Sequence, residues 1–213
     1  LSNIYFELFS KLPTLSTSVD FCKGLATMDN ERFLRLWEEV NWKNACVTAI
    51  DAAEGKESKK RWFAYNKGGT FRRWYGNRDY MINWFDDGKE LKDFQSTLSQ
   101  GWTVRLKSRD YYFRPSVSWP KISSGNFSAR YYPQGFIFDV AGCCYFPAVG
   151  PEAKTIISYL NSTVAKKFLE ILSPTLNFEI EQVKKLPYIK PNDGVRSDIE
   201  QFYSISIDDW NIE

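Results

Sequence analysis

The sequence predicts an α+β fold in which a curved, irregular mixed β-sheet carries packed helices. Two observations predict it. Apolar residues recur at helical spacing early in the chain and again after Pro151. Between those regions, short runs alternate apolar and polar residues and are broken by Pro115, Pro120, Ser123-Ser124-Gly125 and Pro133-Gln134-Gly135, the punctuation of an irregular sheet. A chain of 213 residues with 43% hydrophobic and 25% charged residues can bury a real core, as one large domain or two small ones.

Residues 1–50 read as a helical connector. After a weakly helical opening and a loop over 24–30, Phe33, Leu36, Trp37 and Val40 recur at i, i+3, i+4, i+7 and predict a helix over 30–40 with one buried stripe. Asp29 or Asn30 would cap it, and its start is either an ordinary capped end or a phosphate site. Residues 51–150 read as a β-rich domain. A polar link over 51–60 leads to strands at 61–65 and 80–84, with a tight loop over 66–70 between them. Asp86-Asp87-Gly88 is a turn, with Asp87 capping a short helix towards Leu98. From Gly101 the runs WTVRL, DYYF, VSWPKI, FSARYY, GFIFDVA and CCYF read as strands.

Residues 151–190 form a helical spacer whose apolar face is Ile157, Leu160, Val164, Phe168 and Ile171. Asn161-Ser162-Thr163 divides it, Ser173-Pro174 ends it, and a further short helix falls within 177–186. Residues 191–213 are an acidic tail in which ordered structure is not expected.

A net charge of +2 hides a segregation: residues 59–114 hold 13 cations against 6 acids, whereas 192–213 hold 1 against 6. The basic half is where a polyanion would dock. With no histidine, Ser-His-Asp and Cys-His catalysis are excluded, and a catalytic zinc site is disfavoured. Cys22, Cys46, Cys143 and Cys144 form neither a C-x-x-C pair nor a disulfide framework, which fits a reducing cytoplasm. The adjacent pair Cys143-Cys144 is expected to alternate between the faces of a strand as small packing residues. The sequons at Asn126 and Asn161 are then chance matches. No apolar run reaches the roughly 20 residues of a membrane helix, and no signal peptide is visible. The first residue is not Met, which points to a fragment or a processed chain.

No Gly-x-Gly and no paired prolines occur, so the cofactor loop and catalytic motif of an adenine or cytosine methyltransferase are missing. No catalytic residue and no metal ligand is assigned. The nearest alternative is a Mg²⁺-dependent nuclease using Glu90-Leu91-Lys92 with Asp79 upstream, or Asp86-Asp87, as its metal site.

The densest stretch covers residues 59–78, with seven cations, no acid and six aromatics. Lys59, Lys60, Arg61, Lys67, Arg72, Arg73 and Arg78 can neutralise phosphates, while rings such as Trp62 and Tyr65 can stack on exposed bases. Gly68 and Gly69 allow positive φ and close backbone approach, and the Asn66 carboxamide can pair with adenine. Two readings stand: a nucleic-acid surface, or a solvated basic hairpin whose rings fill a core. A second candidate, residues 116–126, offers Ser123, Ser124 and Asn126 on a glycine loop, with Arg130 on the next strand.

The phrases GLATMDNERFLRLWEEV, KKRWFAYNKGGTFRRWYGNRDYMINW, SWPKISSGNFSARYYPQGFIFDVAG and YLNSTVAKKFLEILSPTLNFEIEQVKKLPY, in that order, resemble the C-terminal part of PglX-type adenine-specific DNA methyltransferases of BREX phage-defence systems. The resemblance covers roughly residues 24–188. It implies a DNA target-recognition region, similar in layout to the specificity subunits of type I restriction systems. A methyltransferase domain that binds S-adenosylmethionine would lie upstream of Leu1, and this part would need no cofactor of its own. Double-stranded DNA, that methyltransferase domain and other defence-system subunits are the implied partners. By the same resemblance Thr27, Asn30 and Arg32 lie near the junction with the catalytic domain, and residues 62–73 face DNA. Cys143-Cys144 departs from the small residues usual after that glycine, with little consequence for DNA binding. A protein-interaction module is the remaining alternative.

Overall fold

The computed structural model describes residues 3–17, 20–123, 125–146, 150–173, 177–188 and 196–212. The chain is α+β, but its strands form two open sheets rather than one. The first is antiparallel: β1 (Asp20–Cys22), β6 (Ser116–Pro120), β7 (Arg130–Tyr132) and β9 (Gly142–Phe146) run in the order β1-β9-β6-β7. The second is mixed. β2 (Leu34–Leu36) and β4 (Trp62–Asn66) flank β5 (Tyr80–Asn83) in antiparallel pairing, while β3 (Ala45–Cys46) and β8 (Phe136–Phe138) run parallel to the two halves of β4.

Strand β9 joins the two cores, because a pleat turns successive side chains to opposite faces. Cys143 and Tyr145 meet Trp119, Val117 and the helices α5 (Gly150–Leu160), α6 (Thr163–Leu172) and α7 (Ile180–Lys184). Cys144 and Phe146 face the other way, onto Phe63, Tyr65, Ile82 and Leu91 of the second core. The alternation expected of the cysteine pair is therefore present. α4 (Phe85–Ser96) closes the second core, and Ser162 caps α6 by accepting from the Ala165 amide at 3.1 Å, which divides the spacer where the sequence predicts. α1 (Asn3–Lys11) and α3 (Ala52–Glu57) complete the early helices, the latter replacing the expected polar link.

Four expectations need correction. The helix over 30–40 shrinks to one turn, α2 (Asn30–Phe33), because residues 34–36 pair with β5 instead. Leu34 enters the core, whereas Leu36 and Trp37 are 39% and 45% exposed, so the helical spacing is coincidental and sheet pairing overrides it. Residues 1–50 are accordingly not a helical connector, since they supply β1, β2 and β3 to the sheets. WTVRL is turn and DYYF starts in a one-turn 3-10 helix, Arg109–Tyr111, rather than forming strands, with Trp102, Leu106, Tyr112 and Phe113 packing inward. The acidic end is ordered: α8 (Arg196–Ile212) is a 17-residue helix.

Candidate nucleic-acid interface

Strand β4 divides the basic stretch into two patches. Lys59, Lys60 and Arg61 enter the strand and Lys67 to Arg78 leave it, and the five strand residues between Arg61 and Lys67 separate the groups by roughly 20 Å. At the entering end Lys59 and Arg61 are exposed; the Lys60 ammonium donates to the Lys43 carbonyl at 2.6 Å, and Arg61 lies over the half-buried Trp62 ring at 5.5 Å.

At the leaving end, residues 67–79 form a long loop between β4 and β5, held from beneath by buried polar side chains. Arg130 is fully buried; its Nη1 donates to the Thr70 and Arg72 carbonyls at 3.1 Å each and its Nη2 to Gly68 at 2.9 Å. Asn77 Nδ2 donates to the carbonyls of Gly68 at 3.0 Å and Thr70 at 2.9 Å. Asn66, also fully buried, accepts from the Gly68 amide at 3.1 Å and donates to Ser118 Oγ at 2.8 Å. Positive φ at Gly68 and Gly69 (85° and 101°) permits the close approach, and a Cβ on Gly69 would sit 2.7 Å from Asn77 Nδ2.

Tyr65, Asn66 and Arg130 therefore do not face a ligand. All three are at 0% exposure, and the Tyr65 hydroxyl, the Asn66 carboxamide and both Arg130 Nη atoms engage the chain itself, so their place is scaffolding rather than the direct contact the sequence points to. Tyr65 donates to Asp139 at 2.7 Å, and burial followed by that carboxylate's charge pushes its phenol well above the usual range. Lys67, partly exposed, pairs with the same carboxylate at 2.6 Å. Arg78 donates to Tyr75 Oη at 2.6 Å and to the Tyr131 carbonyl at 3.1 Å. Gly68 is buried, while Gly69 and Thr70 are exposed at the tip, followed by Arg72 and Arg73 at partial exposure.

Helix α8 covers one side of this loop, and the sequence reasoning missed it. Asp209 pairs with Arg72 at 2.9 Å, Arg72 lies over the Trp210 ring at 4.8 Å, and Phe202 stacks on Trp74 at 5.8 Å. Tyr203 contacts Tyr75 and Tyr131 edge-on, both at 5.9 Å. The available signal was the set of rings, Phe202, Tyr203 and Trp210, inside an otherwise acidic segment.

The second candidate stretch touches the loop's support through Ser118, which accepts from Asn66, and through Arg130. Ser123 is buried and its hydroxyl bonds the Asn126 carbonyl at 2.9 Å; Asn126 is exposed, and Ser124 lies outside the described residues. Near the first turn, Thr27 donates to Asn30 Oδ1 at 2.5 Å, and Arg32 bonds Glu90 at 3.2 Å. Glu90 also accepts from Asn83 at 2.8 Å, while Lys92 turns away to Asp87 at 2.6 Å. The E-x-K pair is thus engaged separately, and among the described residues no group of three or more Cys, Asp or Glu is placed to hold a metal. Nor is any described helix long and apolar enough to cross a membrane.

No family model matches the chain. It is 40% identical over 194 residues to the adenine-specific methyltransferase PglX of Lacticaseibacillus casei (strain Zhang), and 35% identical over 210 residues to the adenine-specific methyltransferase BrxX of Escherichia coli O9:H4 (strain HS). These matches take in 89% and 97% of this chain but 16% of each relative. Its fold is similar to part of the type IIL restriction-modification enzyme MmeI, whose structure was solved in complex with DNA; the TM-score is 0.57 at 17% identity, over 91% of this chain and 28% of that one. The chain is thus homologous, along nearly all of its length, to one segment of the PglX and BrxX adenine-specific methyltransferases.

Proposed function

We propose that this methyltransferase-associated segment is a DNA target-recognition region, which holds duplex DNA while a catalytic domain of the same enzyme methylates an adenine with S-adenosylmethionine. The observation that carries the reading is the loop over residues 67–79. Arg130, Asn66 and Asn77 fix its carbonyls from beneath, so Lys67, Gly69, Arg72 and Arg73 are presented on a rigid backbone. Cations and backbone N–H groups on such a loop suit phosphate contacts, which set the register of a protein on DNA. Homology to enzymes named as adenine-specific methyltransferases supports this reading, as does a fold shared with part of an enzyme solved on DNA. Lys59 and Arg61, at the other end of β4, extend the basic surface, and Asn126 is the exposed member of the second stretch.

Fluorescence anisotropy with a short duplex at several salt concentrations tests it. Binding should weaken with salt, and Arg72→Ala combined with Arg73→Ala should weaken it for every sequence and flatten the log–log salt slope by between about one and two. An unchanged slope would remove the loop from the interface.

A further inference from the structure

At the Lys59 end of β4, away from the loop, lies a cavity of about 380 Å³ lined by Asn44, Lys59, Arg61, Asn83, Phe85 and Glu90. Its one aromatic lining residue, Phe85, is followed by an unusual backbone. Immediately after Phe85, three consecutive residues are left-handed: Asp86, Asp87 and Gly88, with φ of 49°, 57° and 71°. Residues with a Cβ visit this region singly rather than in runs, because the side chain crowds the backbone. The surroundings enforce the turn. Lys56 pairs with Asp86 at 3.3 Å, Lys92 with Asp87 at 2.6 Å, and Arg109 also with Asp87, while Gly88 lies so close to Trp84 that a Cβ would come within 2.7 Å of the ring. Phe85, immediately before this strained turn, is 51% exposed and lines the cavity.

Two cations also line the cavity. Lys59 is itself left-handed at φ 51°, is exposed, and its ammonium has no partner among the described residues. Arg61 reaches Glu90 only at 3.6 Å. Glu90 is shared among Arg32, Asn83 and Arg61, so its charge is already matched, and Asn44 adds an exposed carboxamide.

We propose that this cavity binds a single 5′-nucleotide, with its base stacked on Phe85 and its phosphate against Lys59 and Arg61. A ring face accepts any base, two cations suit a phosphate, and carboxamides such as that of Asn44 pair with base edges. The volume falls in the range of small-ligand sites. An anion alone would leave the outward ring without a role. The proposal does not depend on the loop over 67–79 contacting DNA.

The test is calorimetric titration of the whole chain with AMP, adenosine and inorganic phosphate. AMP should bind at least about tenfold more tightly than either component. Phe85→Ala should weaken AMP by about tenfold and leave phosphate binding unchanged. Lys59→Gly, which also relieves the left-handed backbone, should weaken AMP and phosphate alike and leave adenosine unchanged. Phosphate binding as tight as AMP, or an unaltered AMP affinity in Phe85→Ala, overturns the assignment. Arg72→Ala plus Arg73→Ala should leave AMP binding intact, and its loss there would overturn the placement. Absence of duplex binding with AMP binding retained rejects the recognition reading alone. Displacement of a fluorescent single-stranded oligonucleotide by AMP, seen in the parent chain and not in Phe85→Ala, identifies a nucleic-acid strand as the source; AMP binding without displacement identifies a free nucleotide.

Discussion

Arg130 shows how much depends on one buried guanidinium. It donates to three carbonyls of the loop over 67–79, and its removal takes a charged donor from each, leaving the Gly68 and Thr70 carbonyls held by Asn77 alone. Arg130→Ala should therefore destabilise the chain by about 3 kcal/mol in urea unfolding and disorder the loop; Arg130→Lys cannot restore the fork and should recover little. The buried thiols make a second prediction. Burial pushes Cys143 up to about 11 and Cys144 up to about 12, from 9.0. Their folded values exceed the unfolded ones, so between pH 9 and 11 the unfolded chain loses protons that the folded chain keeps, and stability falls as pH rises. Urea unfolding from pH 8 to 10.5 should show the decline, and Cys144→Ala should make it shallower. At this scale the sequence displayed cations and rings but not their burial. Arg130 and Asn66 look like base readers locally, because the carbonyls and hydroxyl that engage them come from residues remote in the chain.

At the scale of elements, the strands of the middle region and the divided spacer were legible, since turn breakers and a Ser cap act locally. Residues 30–40 and α8 were not. The first carries a helical period, yet an open edge of β5 recruits residues 34–36 into the sheet. The second is polar overall and becomes ordered by docking its rings on Trp74, Tyr75 and Tyr131. Gly76 makes that docking possible. Its φ is 119°, and a Cβ there would lie 2.3 Å from Arg72 Cδ and 2.8 Å from the Trp210 ring. Gly76→Ala should lift the end of α8 and destabilise the chain by about 1–3 kcal/mol, read as faster amide exchange in residues 203–211 with α6 unchanged.

Across the whole molecule, β9 belongs to both cores, so neither can be lost without exposing the other face of the same strand. That arrangement explains why the boundary expected near residue 50 does not appear: early strands complete sheets built mostly from later ones. The candidate site was legible as a stretch and not as a shape, because strand β4 carries its two ends apart. One contact has a consequence for how the molecule would meet a polyanion. Asp209 sits on Arg72 as a tethered counterion, which an arriving phosphate would displace without releasing a mobile ion into the buffer. Arg73 lies over the Phe71 ring at 5.4 Å and has no carboxylate partner among the described residues. In the recognition reading, Arg73→Ala should flatten the salt exponent by about 0.9. Arg72→Ala should flatten it less while still weakening binding, so the thermodynamic signature of one arginine is partly hidden by the chain's own last helix.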